Sequence, residues 1–108
     1  MAEVKKMGGN QLELNYAAIA GVYHFSYNDP KDFGPFLPNL YHCHGKFYEM
    51  LDDLHEYSIP YEKVIPVMIE GGYSGYISSE FEGPQTIFLA TDQLRRQHAM
   101  LRNLFTPA

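Results

Sequence analysis

Two histidines one residue apart, His42 and His44, stand in the stretch YHCHGKFYEM, and Glu80 follows His44 by 36 positions at the end of GYISSE. In a strand, residues i and i+2 share a face, so the two imidazoles point the same way, as do Glu80 and Glu82 if the second strand runs that far. An imidazole with a carboxylate suits a borderline divalent ion such as Mn²⁺, Co²⁺ or Zn²⁺, and a mixed site of that kind takes three or four protein ligands. Two positions describe half of one. The residue types leave a second reading open, in which His42 and His44 hydrogen-bond within the end of a sheet and the glutamates are solvated. Lys46, Tyr48 and Glu49 come next and suit hydrogen bonding to a polyol, or form an ordinary loop.

The 36-position spacing is about one strand, loop, helix and return, and the intervening pattern fits that path. A strand over Asn39 to His44 is bounded by Pro38 and Gly45, and the polar LDDLHEYS reads as a loop. Pro60 opens a helix in which Tyr61, Val64, Ile65 and Met68 recur at i, i+3, i+4 and i+7, closed by Gly71 and Gly72. GYISSE is the second strand and FEGPQTIFLA an irregular loop. Thr91 caps a last helix with Asp92 in its first turn and Leu94, His98, Leu101 and Phe105 on one face, where His98 reads as a packed residue. Upstream, Leu12 to Val22 is a helix. Asn28 or Asp29 then caps a short helix opened by Pro30 and broken near Gly34 and Pro35, with His24 and Asn28 as turn formers. Strands separated by an amphipathic helix form right-handed parallel units, so the class is α/β. In such sheets the site gathers at the carboxyl ends of the strands, where both polar pairs are expected.

Composition narrows the function classes. The charge of −5 is spread along the chain without a basic cluster interleaved with aromatics, which argues against nucleic acid. No apolar run approaches the roughly 20 residues that cross a bilayer, and MAEVKKMGGN has no signal-peptide core, so the expectation is a cytoplasmic protein away from membranes. The single cysteine, Cys43, excludes an internal disulfide; in a strand it points away from both histidines and reads as buried and inert. No dinucleotide, phosphate-loop, C-x-x-C, zinc-protease or serine-hydrolase motif is present in the sequence.

The segments HCHGKFYEM, SIPYEKVIPVMIEGGYSGYISSEFEG and QLRRQHAMLRNLF resemble the seventh strand, the following helix and eighth strand, and the closing helix of the sugar phosphate isomerase/epimerase family, the xylose isomerase-like TIM barrels. A whole barrel takes about 250 residues, so residues 1–108 are expected to be a single partial domain. It would be an α/β piece holding about the last two βα units of a (β/α)8 barrel, preceded by a helical segment.

The resemblance implies a divalent ion, Mn²⁺ first, with Co²⁺, Mg²⁺ or Zn²⁺ as alternatives, held by two glutamates, an aspartate and a histidine. His44 and Glu80 match two of these ligands, and no segment here matches the others. It also implies α-proton abstraction from a sugar or sugar-derived substrate with stabilisation of the enediolate, Glu80 acting as acid or base. His42, the same-face neighbour of His44, and Lys46, Tyr48 and Glu49, which follow the strand, are the substrate-binding candidates. With two ligands of four, this chain alone is expected to have little activity. Pairing with another chain, or with itself, would complete the barrel. Two alternatives stand beside this: a non-catalytic interaction module, and part of a metal-dependent C-glycoside deglycosidase, to which KFYEM and SSEFEG are also similar.

Overall fold

β1 (His42–Phe47) and β2 (Tyr76–Phe81) run parallel, with His42 opposite Tyr76, His44 opposite Ser78 and Lys46 opposite Glu80. They belong to a computed structural model that describes residues 2–22 and 27–106; His24 lies outside this range. Helix α3 (Tyr61–Glu70) connects the strands, and α4 (Ala90–Phe105) follows β2. The order strand, helix, strand, helix is the mixed α/β arrangement expected, and among the described residues the sheet has two strands.

Alternation along the strands divides the sheet into two unlike faces. Cys43, Gly45, Phe47, Ile77 and Phe81 turn towards the helices, where Phe47 joins Tyr61, Ile65 and Met68 of α3 and Met100 and Leu101 of α4 in the buried core. His42, His44, Lys46, Tyr76, Ser78 and Glu80 share the opposite face, which no helix or strand covers among the described residues. Parallel sheets are ordinarily buried on both sides, and among the described residues no further strand pairs with either outer edge.

β1 begins and ends three residues later than the sequence suggested. Its expected start is occupied by a 3₁₀ helix, Pro30–Asn39, whose last turn closes with Leu40 N donating to Leu37 O at 3.1 Å. Asp29 caps that helix as anticipated, accepting from Lys31 N at 3.0 Å. The helix is not broken at Gly34 and Pro35, because tight i to i+3 turns accommodate Pro35 and Pro38 where an α-helix would not.

Gly45 does not end β1 but lies inside it. A Cβ at this position would stand 2.9 Å from Ile77 Cγ2 and 3.3 Å from Gln97 Nε2, so glycine lets α4 approach the sheet.

In α3 the expected residues Tyr61, Ile65 and Met68 are buried, Pro60 serves as the residue before the helix, and the exposed Pro66 sits within it. In α4 the cap position is Leu89 rather than Thr91, and the buried stripe is Gln93, Gln97, Met100 and Leu101. That stripe is displaced from the apolar one read in the sequence because two glutamines satisfy buried backbone groups. Gln93 Oε1 accepts from Met50 N at 2.6 Å, and Gln97 Nε2 donates to Gly45 O at 2.8 Å. His98 is exposed instead of packed, with Nε2 at 2.8 Å from Ser79 Oγ.

Upstream, α2 (Gln11–Val22) matches the expected helix, and the short α1 (Ala2–Lys6) was not foreseen. Asn10 and Glu13 form a reciprocal capping box at the start of α2, with bonds of 2.7 and 3.0 Å. Among the described residues α1 and α2 touch each other and no other element. The radius of gyration is accordingly 16.8 Å, against about 13 Å for a compact domain of this length.

Candidate functional site

Three cross-strand contacts cross the open face as a slanted ladder, each joining a β1 residue to the residue two beyond its register partner. His42 Nε2 lies 2.8 Å from Ser78 Oγ, His44 Nδ1 lies 3.4 Å from Glu80 Oε2, and Lys46 Nζ lies 2.9 Å from Glu82 Oε2. The slant follows from the parallel register, because a long β1 side chain leans along the strand towards the next same-face residue of its neighbour. The two imidazoles meet edge to face with centroids 5.6 Å apart. His44 and Glu80 therefore converge, as their spacing suggested, and they do so in solvent, with side chains 69% and 40% exposed.

The expected placement at the carboxyl ends needs correction for the histidines. His42 opens β1 and His44 lies in its middle, because the strand starts late and continues through Gly45. Lys46, Glu80 and Glu82 are the residues at the carboxyl end. The Lys46 ammonium and Glu82 carboxylate hold each other ionised: the hydrogen bond to Glu82 raises the lysine pKa, and the same bond lowers that of Glu82.

Tyr48 and Glu49 do not join the ladder. They lie just past β1 in a loop organised by a residue the sequence reading missed, Glu56, which is 8% exposed. One Glu56 carboxylate oxygen accepts from Tyr48 N at 2.9 Å and Glu49 N at 3.4 Å; the other accepts from Ser58 N at 2.6 Å and from Ile59 N. One carboxylate thus ties the exit of β1 to the entry of α3. Among the described residues, the Tyr48 hydroxyl and the Glu49 carboxylate have no hydrogen-bonded partner. In the sequence Glu56 stands in a polar stretch that looks solvated, and only an unusual need for acceptors in a tight loop distinguishes it.

Behind the ladder the β1 backbone is clamped from the helix side. Tyr61 OH donates to Lys46 O at 2.5 Å, and Gln97 Nε2 reaches both Gly45 O and, at 3.4 Å, the Tyr61 oxygen. Burial pushes the Tyr61 hydroxyl up to about 12. Cys43 is half-buried on this helix-facing side, opposite Ile77 and away from both histidines.

An imidazole and a carboxylate on one face are donors suited to a borderline divalent ion. Among the described residues, no group of three or more His, Cys, Asp or Glu side chains is arranged to hold a metal. The donor types fit such an ion; the number supplied by the described residues does not complete a site.

No model of a known protein family matches the chain. It is 31% identical over 103 residues, 94% of its length and 29% of the relative's, to a protein of Microbacterium sp. named 3'-dehydrocarminate deglycosidase alpha subunit. It is also 29% identical over 83 residues, 73% of its length and 24% of the relative's, to a C-glycoside deglycosidase alpha subunit of Arthrobacter globiformis. A protein of the same name from Microbacterium trichothecenolyticum is 38% identical over 52 residues, 48% of this chain and 14% of that one. The chain thus spans less than a third of the length of the curated relatives it matches. These names overturn the expected kinship with sugar phosphate isomerases and epimerases of the xylose isomerase-like kind: the relatives are deglycosidase subunits. Among the described residues no helix is long and apolar enough to cross a membrane.

Proposed function

We propose that this chain is part of a C-glycoside deglycosidase alpha subunit and that the open polar face of its sheet is part of the site that binds and cleaves the substrate. The observation that carries the reading is the convergence of His44 and Glu80 on an uncovered face of a parallel sheet, in a chain similar over 94% of its length to such a subunit. In architecture, β1, α3, β2 and α4 would be two adjoining units of a (β/α)8 barrel, with the ladder facing the barrel's interior and the helices outside. The relatives are named as alpha subunits, and we place this chain likewise in an assembly with another subunit. A cytoplasmic location suits its single free cysteine.

His44 and Glu80 would supply two ligands to a divalent ion, Mn²⁺ first, with Co²⁺, Mg²⁺ or Zn²⁺ as alternatives, the remaining ligands coming from outside this chain. His44 Nδ1 and Glu80 Oε2 stand 3.4 Å apart on one face, close enough for both to reach one ion. When bound, the ion would polarise a sugar carbonyl and its neighbouring hydroxyl. Glu80 would take the proton α to the ketone of an oxidised sugar, and loss of that proton weakens the bond between sugar and aglycone carbon. His42 on the open face, and Tyr48 and Glu49 in the loop just past β1, would contact sugar hydroxyls.

The test is made on the full-length protein that carries this chain. Bound Mn²⁺, Co²⁺, Mg²⁺ and Zn²⁺ are measured together with aglycone release from an oxidised C-glycoside, 3'-dehydrocarminate being the first to try. His44→Ala and Glu80→Ala are each expected to lose metal and to lower turnover by at least about 100-fold. Full metal content and turnover in both variants would sink the proposal.

A further inference from the structure

We infer that Lys46 is a cationic hydrogen-bond donor to the negative charge developing on the substrate's carbonyl oxygen, beside the divalent ion, and that Glu82 is the positioning residue that holds it there. This rests on the deglycosidase reading above and goes beyond it, since it gives Lys46 a role in the reaction step rather than in sugar binding alone. Lys46 stands in register opposite Glu80, the proposed base, on the same face of the sheet. A lysine side chain on an open surface samples many rotamers. Here both ends are held.

At the backbone end, Tyr61 OH binds the Lys46 carbonyl and Gln97 binds that of Gly45. At the ammonium end, Glu82 Oε2 lies at 2.9 Å. Glu82 is itself fixed. Its N–H donates to Phe47 O at 2.9 Å, extending the ladder one residue past β2. The next residue, Gly83, packs so tightly on the Tyr48 carbonyl and the Phe81 ring that no side chain fits there. A carboxylate placed by two backbone constraints thus aims an ammonium, 43% exposed, at the carboxyl end of the strands beside Glu80.

The electron count assigns the need for such a group. When a base removes the proton α to a sugar ketone, the C–H pair becomes a C=C bond and the carbonyl π pair moves onto oxygen. The Lys46 ammonium donates a hydrogen bond to that oxyanion and keeps its proton. The oxygen pair returns to re-form the carbonyl, the C=C pair shifts to make a double bond to the anomeric carbon, and the bond from that carbon to the aglycone breaks, the aglycone carbon keeping its pair and taking up the proton that Glu80 removed or one from water. A donor that meets charge present only in the transition state raises kcat and leaves ground-state binding alone. A solvated ion pair with no such role would affect neither.

The experiment uses the full-length protein and a C-glycoside whose sugar carries the ketone, with bound metal and melting temperature measured on every variant. Lys46→Met is expected to lower kcat by about 100-fold with KM changed less than about threefold, the loss typical of one oxyanion donor. Lys46→Arg should recover at least about tenfold of that loss, because it restores a cationic donor. Glu82→Gln should lower kcat by about tenfold with metal content and melting temperature unchanged, and it carries the test alone should Lys46→Met fail to fold. Wild-type kcat in Glu82→Gln or Lys46→Met, or a rise in KM alone, overturns the inference and leaves the deglycosidase reading standing. Absence of turnover by the unaltered protein overturns both.

Discussion

Replacing Gly45 with alanine places a methyl group where α4 and β2 already meet. The added carbon would stand 2.9 Å from Ile77 Cγ2 and 3.3 Å from Gln97 Nε2, whereas carbon atoms prefer about 3.5–4.0 Å. Overpacking of this kind costs about 1–3 kcal/mol. Gln97 would also be pushed from Gly45 O, its 2.8 Å partner, which strands a buried amide and a buried carbonyl at a further cost of about 1–3 kcal/mol. The smaller entropy of the unfolded alanine chain returns about 0.4–1 kcal/mol. The two costs share one displacement and are not additive, so the expected net loss is about 2–3 kcal/mol, or a melting temperature lower by roughly 8–12 °C. Urea unfolding followed by circular dichroism measures it. Ile77→Ala removes the closest contact, so a double-mutant cycle should show Gly45→Ala costing at least about 1 kcal/mol less in that background. A Gly45→Ala protein within about 0.5 kcal/mol of the parent would refute the reasoning, because it would mean that α4 does not press on β1 at this point.

Glu56→Ala should destabilise by about 2–4 kcal/mol, since it leaves several N–H groups of the β1–α3 loop without their acceptor; hydrogen exchange at Tyr48, Ser58 and Ile59 should quicken more than at α4, and uniform protection would count against it. Tyr61 makes stability fall in alkali. Its folded-state pKa is raised to about 12 from 10.0, so its contribution is complete below pH 10 and disappears as the pH rises towards 12. The loss is about 2–3 kcal/mol over that window. Tyr61→Phe should flatten the alkaline limb of a denaturation profile, and an unchanged limb would assign the dependence to another group.

What the sequence made legible was whatever follows a simple period. The i, i+2 rule put His42 and His44 on one face, and the i, i+3, i+4, i+7 pattern found the buried side of α3. Illegible were the features in which a polar residue does a core residue's work. Gln93 and Gln97 belong to the buried stripe of α4 because β1 and its exit present unpaired backbone groups to them, and no apolar period announces that. Glu56 is hidden for the same reason. Gly45 and Pro35 misled in the opposite sense: both are ordinarily terminators, yet one is a close-approach position inside β1 and the other rides within a 3₁₀ helix. Taking Gly45 and Pro38, which also lies within that 3₁₀ helix, as the bounds of the strand moved it by three residues, and with it the position of His44 relative to the carboxyl end.

The unequal faces of the sheet bear on why the ladder exists at all. A surface designed only for solubility would present flexible, solvated charges, and pairing those charges would add little. Here the open face pairs every β1 side chain that points to it, His42 with Ser78, His44 with Glu80 and Lys46 with Glu82, while the backbone beneath is clamped by Tyr61 and Gln97. Rigid scaffolding of this sort is what a site needs, because a group misplaced by about 1 Å loses about 100-fold in rate. It is also what a parallel pair needs if further strands are to be laid against its edges, since the register is then already set by the first two. Both demands meet at β1: the glycine that admits α4 stands between His44 and Lys46, so the contact that holds the helix to the sheet also fixes two of the residues on which the proposed chemistry depends.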